Sequence, residues 1–145
     1  DARTPPPNAA TPYERGWFGM LAAARPVDNS CKWGAGGFVS TAEDLARFGL
    51  ALLRGEIVRR ESLPLLFTPQ KSSAGESTGN GLGWQVGVDG AGRRRLVQSG
   101  RTVGGRSVVV LVPEARLSVA LLANVDGEHL DDHALKIAAL FAEPE

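Results

Sequence analysis

The stretch richest in usable chemistry is Val97-Gln98-Ser99-Gly100-Arg101-Thr102-Val103-Gly104-Gly105. An apolar lead-in reads as a strand, the hydroxyl and glycine as its end, and the second glycine pair as a bend into the next strand. Acyl transfer needs a wall of this kind. An extended edge can hydrogen-bond a peptide-like substrate by adding it as a further strand. N–H groups along that edge can polarise a carbonyl. A glycine beside the hydroxyl lets substrate approach without a Cβ in the way. Taken alone, Ser99-Gly100 reads rather as the plain opening of a loop, because motifs this short recur by chance.

Other residues carry weaker signals. His129 and His133 stand four apart on an expected helix, a spacing that can hold a metal. Asp131 and Asp132 fall elsewhere on the helical wheel, so the pair reads as solvated positions and no metal is expected. Arg93, Arg94, Arg95, Arg101 and Arg106 could form a phosphate patch. Strand alternation sends Arg94 to the opposite face from its neighbours, which favours a solvated hairpin arm. Gly34-Ala35-Gly36-Gly37 lacks the Gly-Lys-Ser/Thr of a phosphate loop. Cys31 is the only cysteine, so no internal disulfide can form, and it reads as an inert small residue. Trp17, Phe18, Trp33, Phe38 and Trp84 read as packing residues.

Elements must hold the 97–105 stretch in place. The 145 residues are the size of one domain, and 43% are hydrophobic, enough for a core. Sixteen basic residues balance sixteen acidic ones, so no overall field draws the chain to nucleic acid or an anionic membrane. Apolar runs such as Val108 to Val112 are too short to span a bilayer. The chain opens Asp1-Ala2-Arg3 with neither Met nor an apolar leader, which reads as a processed product or an excised domain.

Pro5, Pro6, Pro7 and Pro12 predict an extended start, and residues 13–39 read as irregular. Ser40 and Glu43 have capping-box form, with Leu45, Phe48, Gly49, Leu52 and Leu53 at helical spacing and Gly55 as the stop. A short helix is expected over Glu61 to Phe67, and a flexible polar loop over 70–80. Leu82 to Val88 and Arg93 to Gln98 predict a hairpin around Asp89 to Gly92. Ser107 to Val112 and Leu117 to Asn124 predict a second one, buried on both faces. A final helix is expected from Asp126 or Glu128, its apolar face Leu130, Ala134, Ile137, Ala138 and Phe141. The fold class is α+β, an antiparallel sheet with a packed C-terminal helix.

Longer segments resemble a known family. Gly36-Gly37-Phe38-Val39-Ser40-Thr41-Ala42-Glu43-Asp44-Leu45-Ala46-Arg47-Phe48 is similar to the Gly-Gly-Phe/Leu-Ser-Thr-x-x-Asp-Leu-x-x-Phe segment of the class-C-like serine β-lactamase-related and penicillin-binding-protein-like family. Asp28-Asn29-Ser30-Cys31-Lys32-Trp33 resembles the lead-in of its mitochondrial branch and bacterial relatives. Gly81-Leu82-Gly83-Trp84 looks like the family strand that precedes the third motif. Gln98-Ser99-Gly100 sits where the family has Lys-Thr-Gly or His-Thr/Ser-Gly. The next two strands and the terminal helix follow in order.

The resemblance implies a partial β-lactamase/transpeptidase-like fold, in which 1–26 is an extended or irregular segment and 27–145 the C-terminal part of the hydrolase domain. It implies a five-stranded antiparallel sheet in the whole domain, with the later strands present in this chain. The intact protein would acylate a serine with D-alanyl peptides, β-lactams or esters, without a cofactor, and would act in the periplasm or outside the cell. Gln98, Ser99, Gly100, Arg101 and Trp33 would line the substrate cleft.

Two motifs are missing: no serine has Lys three residues on, and the only tyrosine, Tyr13, stands in Tyr-Glu-Arg rather than Tyr-x-Asn. The expectation is that these residues alone hydrolyse nothing, since an activated serine needs a base within reach. Gln98 is neutral where the family carries Lys or His; Arg101 is the candidate to supply the lost charge to a substrate carboxylate. The partners expected are the missing N-terminal half of the domain and a peptide-like or β-lactam small molecule. The rival expectation is a non-catalytic peptide-binding or self-assembly module. A half-domain leaves a sheet edge unpaired and apolar surface exposed, which predicts homodimers or element exchange.

Overall fold

A computed structural model describes residues 6–32, 34–127 and 129–142. Its centre is an antiparallel sheet in the order β3–β4–β5–β6: Gln85–Val88, Arg94–Thr102, Gly105–Val112 and Leu117–Ala123. A separate two-stranded sheet pairs β1 (Tyr13–Arg15) with β2 (Leu21–Ala23). Helices α1 (Ala42–Arg54), α2 (Leu63–Phe67) and α3 (Leu130–Ala142) complete the described elements. The α+β class and the packed C-terminal helix therefore hold.

β5 explains the layering. Its run Val108-Val109-Val110-Leu111-Val112 is buried throughout. Successive side chains alternate between the two faces. Val108, Val110 and Val112 join Val97 and Val119 against Ala134, Ala138 and Ala142 of α3. Val109 and Leu111 join Leu96 against Leu52 of α1, Phe67 of α2 and Trp84. Each fully buried aliphatic side chain contributes about 1.5–3 kcal/mol. The sheet is thus covered by helices on both faces, as the doubly apolar pattern of β5 predicts.

α1 begins one residue later than its sequence suggests. Thr41, not Ser40, is the N-cap: its backbone is extended and its Oγ1 accepts from the Asp44 N–H at 3.1 Å. That shift moves Glu43 off the box position, and it pairs with Arg47 at 2.6 Å instead. Gly55 ends the helix at φ 72°, a left-handed conformation that glycine adopts at little cost. Gly49 lets α1 lie against β6 and β5. A Cβ there would strike the Ser118 side chain and come within 2.6 Å of Leu111 Cδ2.

Three other expectations change. Tyr13–Arg15 and Leu21–Ala23 form a hairpin inside a stretch expected to be irregular. It docks on the main sheet, where Tyr13 N–H donates to the Asn124 carbonyl at 2.8 Å. Residues 70–80 form a loop outside the named helices and strands, and it is tied across itself: Gln70 N–H donates to Asn80 O at 2.7 Å, and Thr78 N–H to Gln70 O at 2.9 Å. β3 begins at Gln85, because Gly83 takes φ 80° and bends the chain before it. Phe141 is 73% exposed rather than part of the apolar face of α3. Ala134, Ala138 and Ala142, four apart, let α3 sit close on the valines, and Phe141 falls beside that seam.

Candidate functional site

β4 runs further than expected. It passes through Ser99 and Gly100 to Thr102, turns at Val103-Gly104, and re-enters as β5 at Gly105. β3 pairs only with its first part, from Val88↔Arg94 to Gln85↔Val97. β5 pairs with it from Leu96↔Leu111 to Thr102↔Gly105. Among the described residues, 98–102 therefore have a strand neighbour on one side only.

Two observations fix which main-chain groups face the open side. Asp89 N–H donates to the Arg93 carbonyl at 2.9 Å across the β3–β4 turn, so Arg93 points its carbonyl towards β3. Residues two apart in a strand point their main-chain groups the same way. Arg95, Val97, Ser99 and Arg101 follow Arg93. At the other end the two-residue turn makes Thr102↔Gly105 the closing hydrogen-bonded pair, so Thr102, Gly100 and Gln98 point towards β5. Both ends agree. Past Val97, the N–H and C=O of Ser99 and Arg101 lie on the open edge, with no main-chain partner beyond β4's own ladder among the described residues.

The side chains divide between the faces. Gln98, Gly100 and Thr102 share the face of Leu96, towards α1 and α2; Ser99 and Arg101 share the face of Val97, towards α3. The Ser99 hydroxyl donates to the Asp131 carboxylate on α3. Gln98, Ser99, Arg101 and Thr102 are exposed. The structure brings these residues together along one edge, not their side chains onto one face. A Cβ at Gly100 would meet the Ser107 hydroxyl. Arg101 makes no ion pair with a described residue.

Trp33 lies outside the described residues. At the end of β4, Asn29 Nδ2 donates to Thr102 Oγ1 at 3.4 Å. Asp28 beside it accepts from Ser30 N–H at 2.9 Å. The Ser30 hydroxyl first, then its N–H, hold the Asp28 carboxyl below its ordinary value. Asn29, Thr102 and Asp131 were missed by sequence reasoning. Only the position of Asn29 next to Asp28 and Ser30 hinted at a role, and nothing marked Asp131 as the partner of Ser99.

The arginine cluster resolves into separate contacts: Arg93 pairs with Asp89 at 2.7 Å, Arg94 with Glu114 at 2.8 Å, and Arg106 with Asp126 at 3.8 Å. His133 Nδ1 lies 2.9 Å from the His129 carbonyl. Among the described residues no three His, Cys, Asp or Glu side chains gather as metal ligands would. No described helix is long and apolar enough to cross a membrane.

A sheet flanked by α1 and α3, ending in an open strand edge, defines part of a penicillin-binding-protein-like fold. The octameric penicillin-binding protein homologue from Pyrococcus abyssi superimposes with TM-score 0.72 and 22% identity over 92% of this chain and 31% of its own. The chain belongs to the beta-lactamase family, whose model matches residues 1–143. It is similar to the serine beta-lactamase-like protein LACTB, mitochondrial, of Homo sapiens at 28% identity and of Mus musculus at 29%, over 79% of this chain in each case. It spans 28% of the length of those relatives.

Proposed function

We propose that this chain forms one wall of a serine acyl-hydrolase cleft whose nucleophile and base lie elsewhere in a longer polypeptide. The observation that supports this reading best is the open edge at Ser99 and Arg101. A D-alanyl peptide, β-lactam or ester adds to it as a short strand. The Arg101 N–H polarises the acyl carbonyl and its C=O accepts from a substrate amide. Gly100 keeps the approach free of a Cβ. The Arg101 guanidinium, without an ion pair among the described residues, binds a substrate carboxylate where Gln98 offers no charge. Ser99 is a wall residue rather than the nucleophile, since its hydroxyl is committed to Asp131.

Fluorescent penicillin and a fluorophosphonate test this directly. The longest natural polypeptide that carries these residues should label covalently, and the 145-residue chain should not. Labelling of the short chain, or a reading frame without Ser-x-x-Lys upstream, would overturn the proposal.

A second reading has its own support. Trp17 is 84% exposed, Phe18 91%, Met20 70% and Leu21 57%, all on or beside the turn of the β1–β2 hairpin. Apolar surface of this kind marks an interaction site. On this reading the chain is a non-catalytic binding or self-assembly module and associates with a second copy. Sedimentation should then show concentration-dependent dimers that Trp17→Ser and Phe18→Ser abolish; a monomer at all concentrations sinks it.

A further inference from the structure

A cavity of about 650 Å³ opens at the other end of β4, between the end of α1, α2 and the β5–β6 turn. Seven residues of strand, about 23 Å, separate Arg94 at its rim from Arg101. It is therefore distinct from the open edge. Its volume falls within the ordinary range for small-ligand sites.

The lining is unusual in its charge. Leu53, Leu63 and Phe67 make an apolar floor, and Arg54, Arg60, Arg94 and Arg116 stand around it. Among the described residues no acidic side chain lines it. Glu114 neutralises Arg94 at 2.8 Å, and the nearby Glu61 pairs with Arg59. Arg54, Arg60 and Arg116 make no ion pair with any described residue. The C-terminal end of α1 would repel an anion, but Gly55 and Glu56 cap two of its last carbonyls, on Leu52 and Ala51.

Arg116 adds an independent sign. It sits at φ 49°, a left-handed position where glycine or asparagine is ordinarily found. A long cationic side chain stands at this position, where the backbone favours glycine, and that side chain lines the cavity.

We propose that this cavity binds an amphiphilic phosphate monoester, its apolar group on the leucine and phenylalanine floor and its dianionic head among Arg54, Arg60 and Arg116. Three unneutralised guanidiniums match a dianion better than a single carboxylate, and their donors suit phosphate oxygens. The rim is exposed, so binding weakens with salt.

Titration calorimetry on the longest natural polypeptide carrying these residues tests the site with octyl phosphate, inorganic phosphate and octyl glucoside. Octyl phosphate should bind at least about tenfold tighter than either of the others. Arg116→Gly should lower that affinity about tenfold while leaving Tm unchanged or higher, because glycine relieves the left-handed backbone. Arg54→Gln should also weaken binding, and Arg47→Gln, away from the cavity, should not. Absence of octyl phosphate binding, equal binding of inorganic phosphate, or an affinity untouched by Arg116→Gly and Arg54→Gln would each overturn the proposal. None of these outcomes bears on acylation at the other end of β4.

Discussion

The two halves of β4 differ in what surrounds them. Arg94–Val97 has a strand on each side, and Leu96 and Val97 lie in the two opposite cores. Residues 98–102 have one neighbour, exposed side chains at all positions but Gly100, and main-chain groups facing outward at Ser99 and Arg101. A single strand thus serves first as core and then as a free edge. Unpaired edges invite pairing by another chain. On the proposed cleft reading the unpaired half is the substrate-binding edge, and the paired half anchors it to the sheet.

The largest effects should fall in the paired half. Leu96 is fully buried. Leu96→Ala should lower unfolding free energy by about 2–5 kcal/mol in a urea titration. Gln98→Ala, two residues on and on the same face, should change it by less than about 0.5 kcal/mol. Comparable losses at both positions would mean that residues 98–102 are packed and the contrast is false.

Proline substitutions break the comparison along the strand itself. Gln98 points its N–H towards Val109 on β5, so Gln98→Pro leaves a ladder acceptor unmatched and should cost about 1–3 kcal/mol. Arg101 points its N–H to the open side, so Arg101→Pro should cost under about 1 kcal/mol, as on any edge strand. In the whole protein, on the proposed cleft reading, Arg101→Pro should still lower kcat by about 10²–10³, by removing the N–H that polarises the carbonyl. If Arg101→Pro unfolds the chain, that edge is not free.

The contrast was only half legible in the sequence. The five-residue apolar run of β5 announced a strand buried on both faces, because only burial on both sides tolerates such a run. Gly55 and Gly104 marked their turns, since each takes a positive φ. The length of β4 was not legible. Ser99 and Gly100 have the composition of a strand end, and they remain in a strand because β5 supplies Ser107 and Val108 as cross-strand partners. The division of Gln98 and Ser99 between faces follows from alternation once the strand is known to continue. The Ser99–Asp131 contact spans 32 residues and depends on how α3 crosses the sheet, which no local pattern encodes. The β1–β2 hairpin was hidden for a similar reason: Gly104 leaves room for Pro12, Tyr13 and Ala24 at the sheet end, and that docking is tertiary.

A smaller effect should follow the loss of the Ser99–Asp131 hydrogen bond. Both residues are exposed, so Ser99→Ala should cost less than about 1 kcal/mol. Asp131→Asn should cost no more. If Ser99 is a wall residue, Ser99→Ala leaves covalent labelling of the whole protein intact; abolition of labelling would make it the nucleophile and reverse its assigned role.

Acid should act weakly, and at the paired end through Asp89 and Glu114, which are tied to arginines there, whereas the depressed Asp28 at the open end is held chiefly by Ser30. Partial burial raises the Asp89 carboxyl, but hydrogen bonds from the Arg93 side chain and N–H and from the Ala91 N–H outweigh it and hold the group below its ordinary 3.8. Glu114, raised by burial and lowered more by Arg94, also lies below its ordinary 4.5. Carboxyls depressed in the folded state stabilise it above their unfolded values, and that stability is lost as pH falls through the folded ones. The urea midpoint should owe no change to these groups from pH 7 to about pH 5, then decline from about pH 4.5 downward. Asp89→Asn and Glu114→Gln should each flatten the decline. Amide exchange should show protection lost first around Asp89 and Arg94, the two ends of the β3–β4 turn. Loss beginning instead at residues 98–102 would mean that the open half, not the turn, sets the acid response.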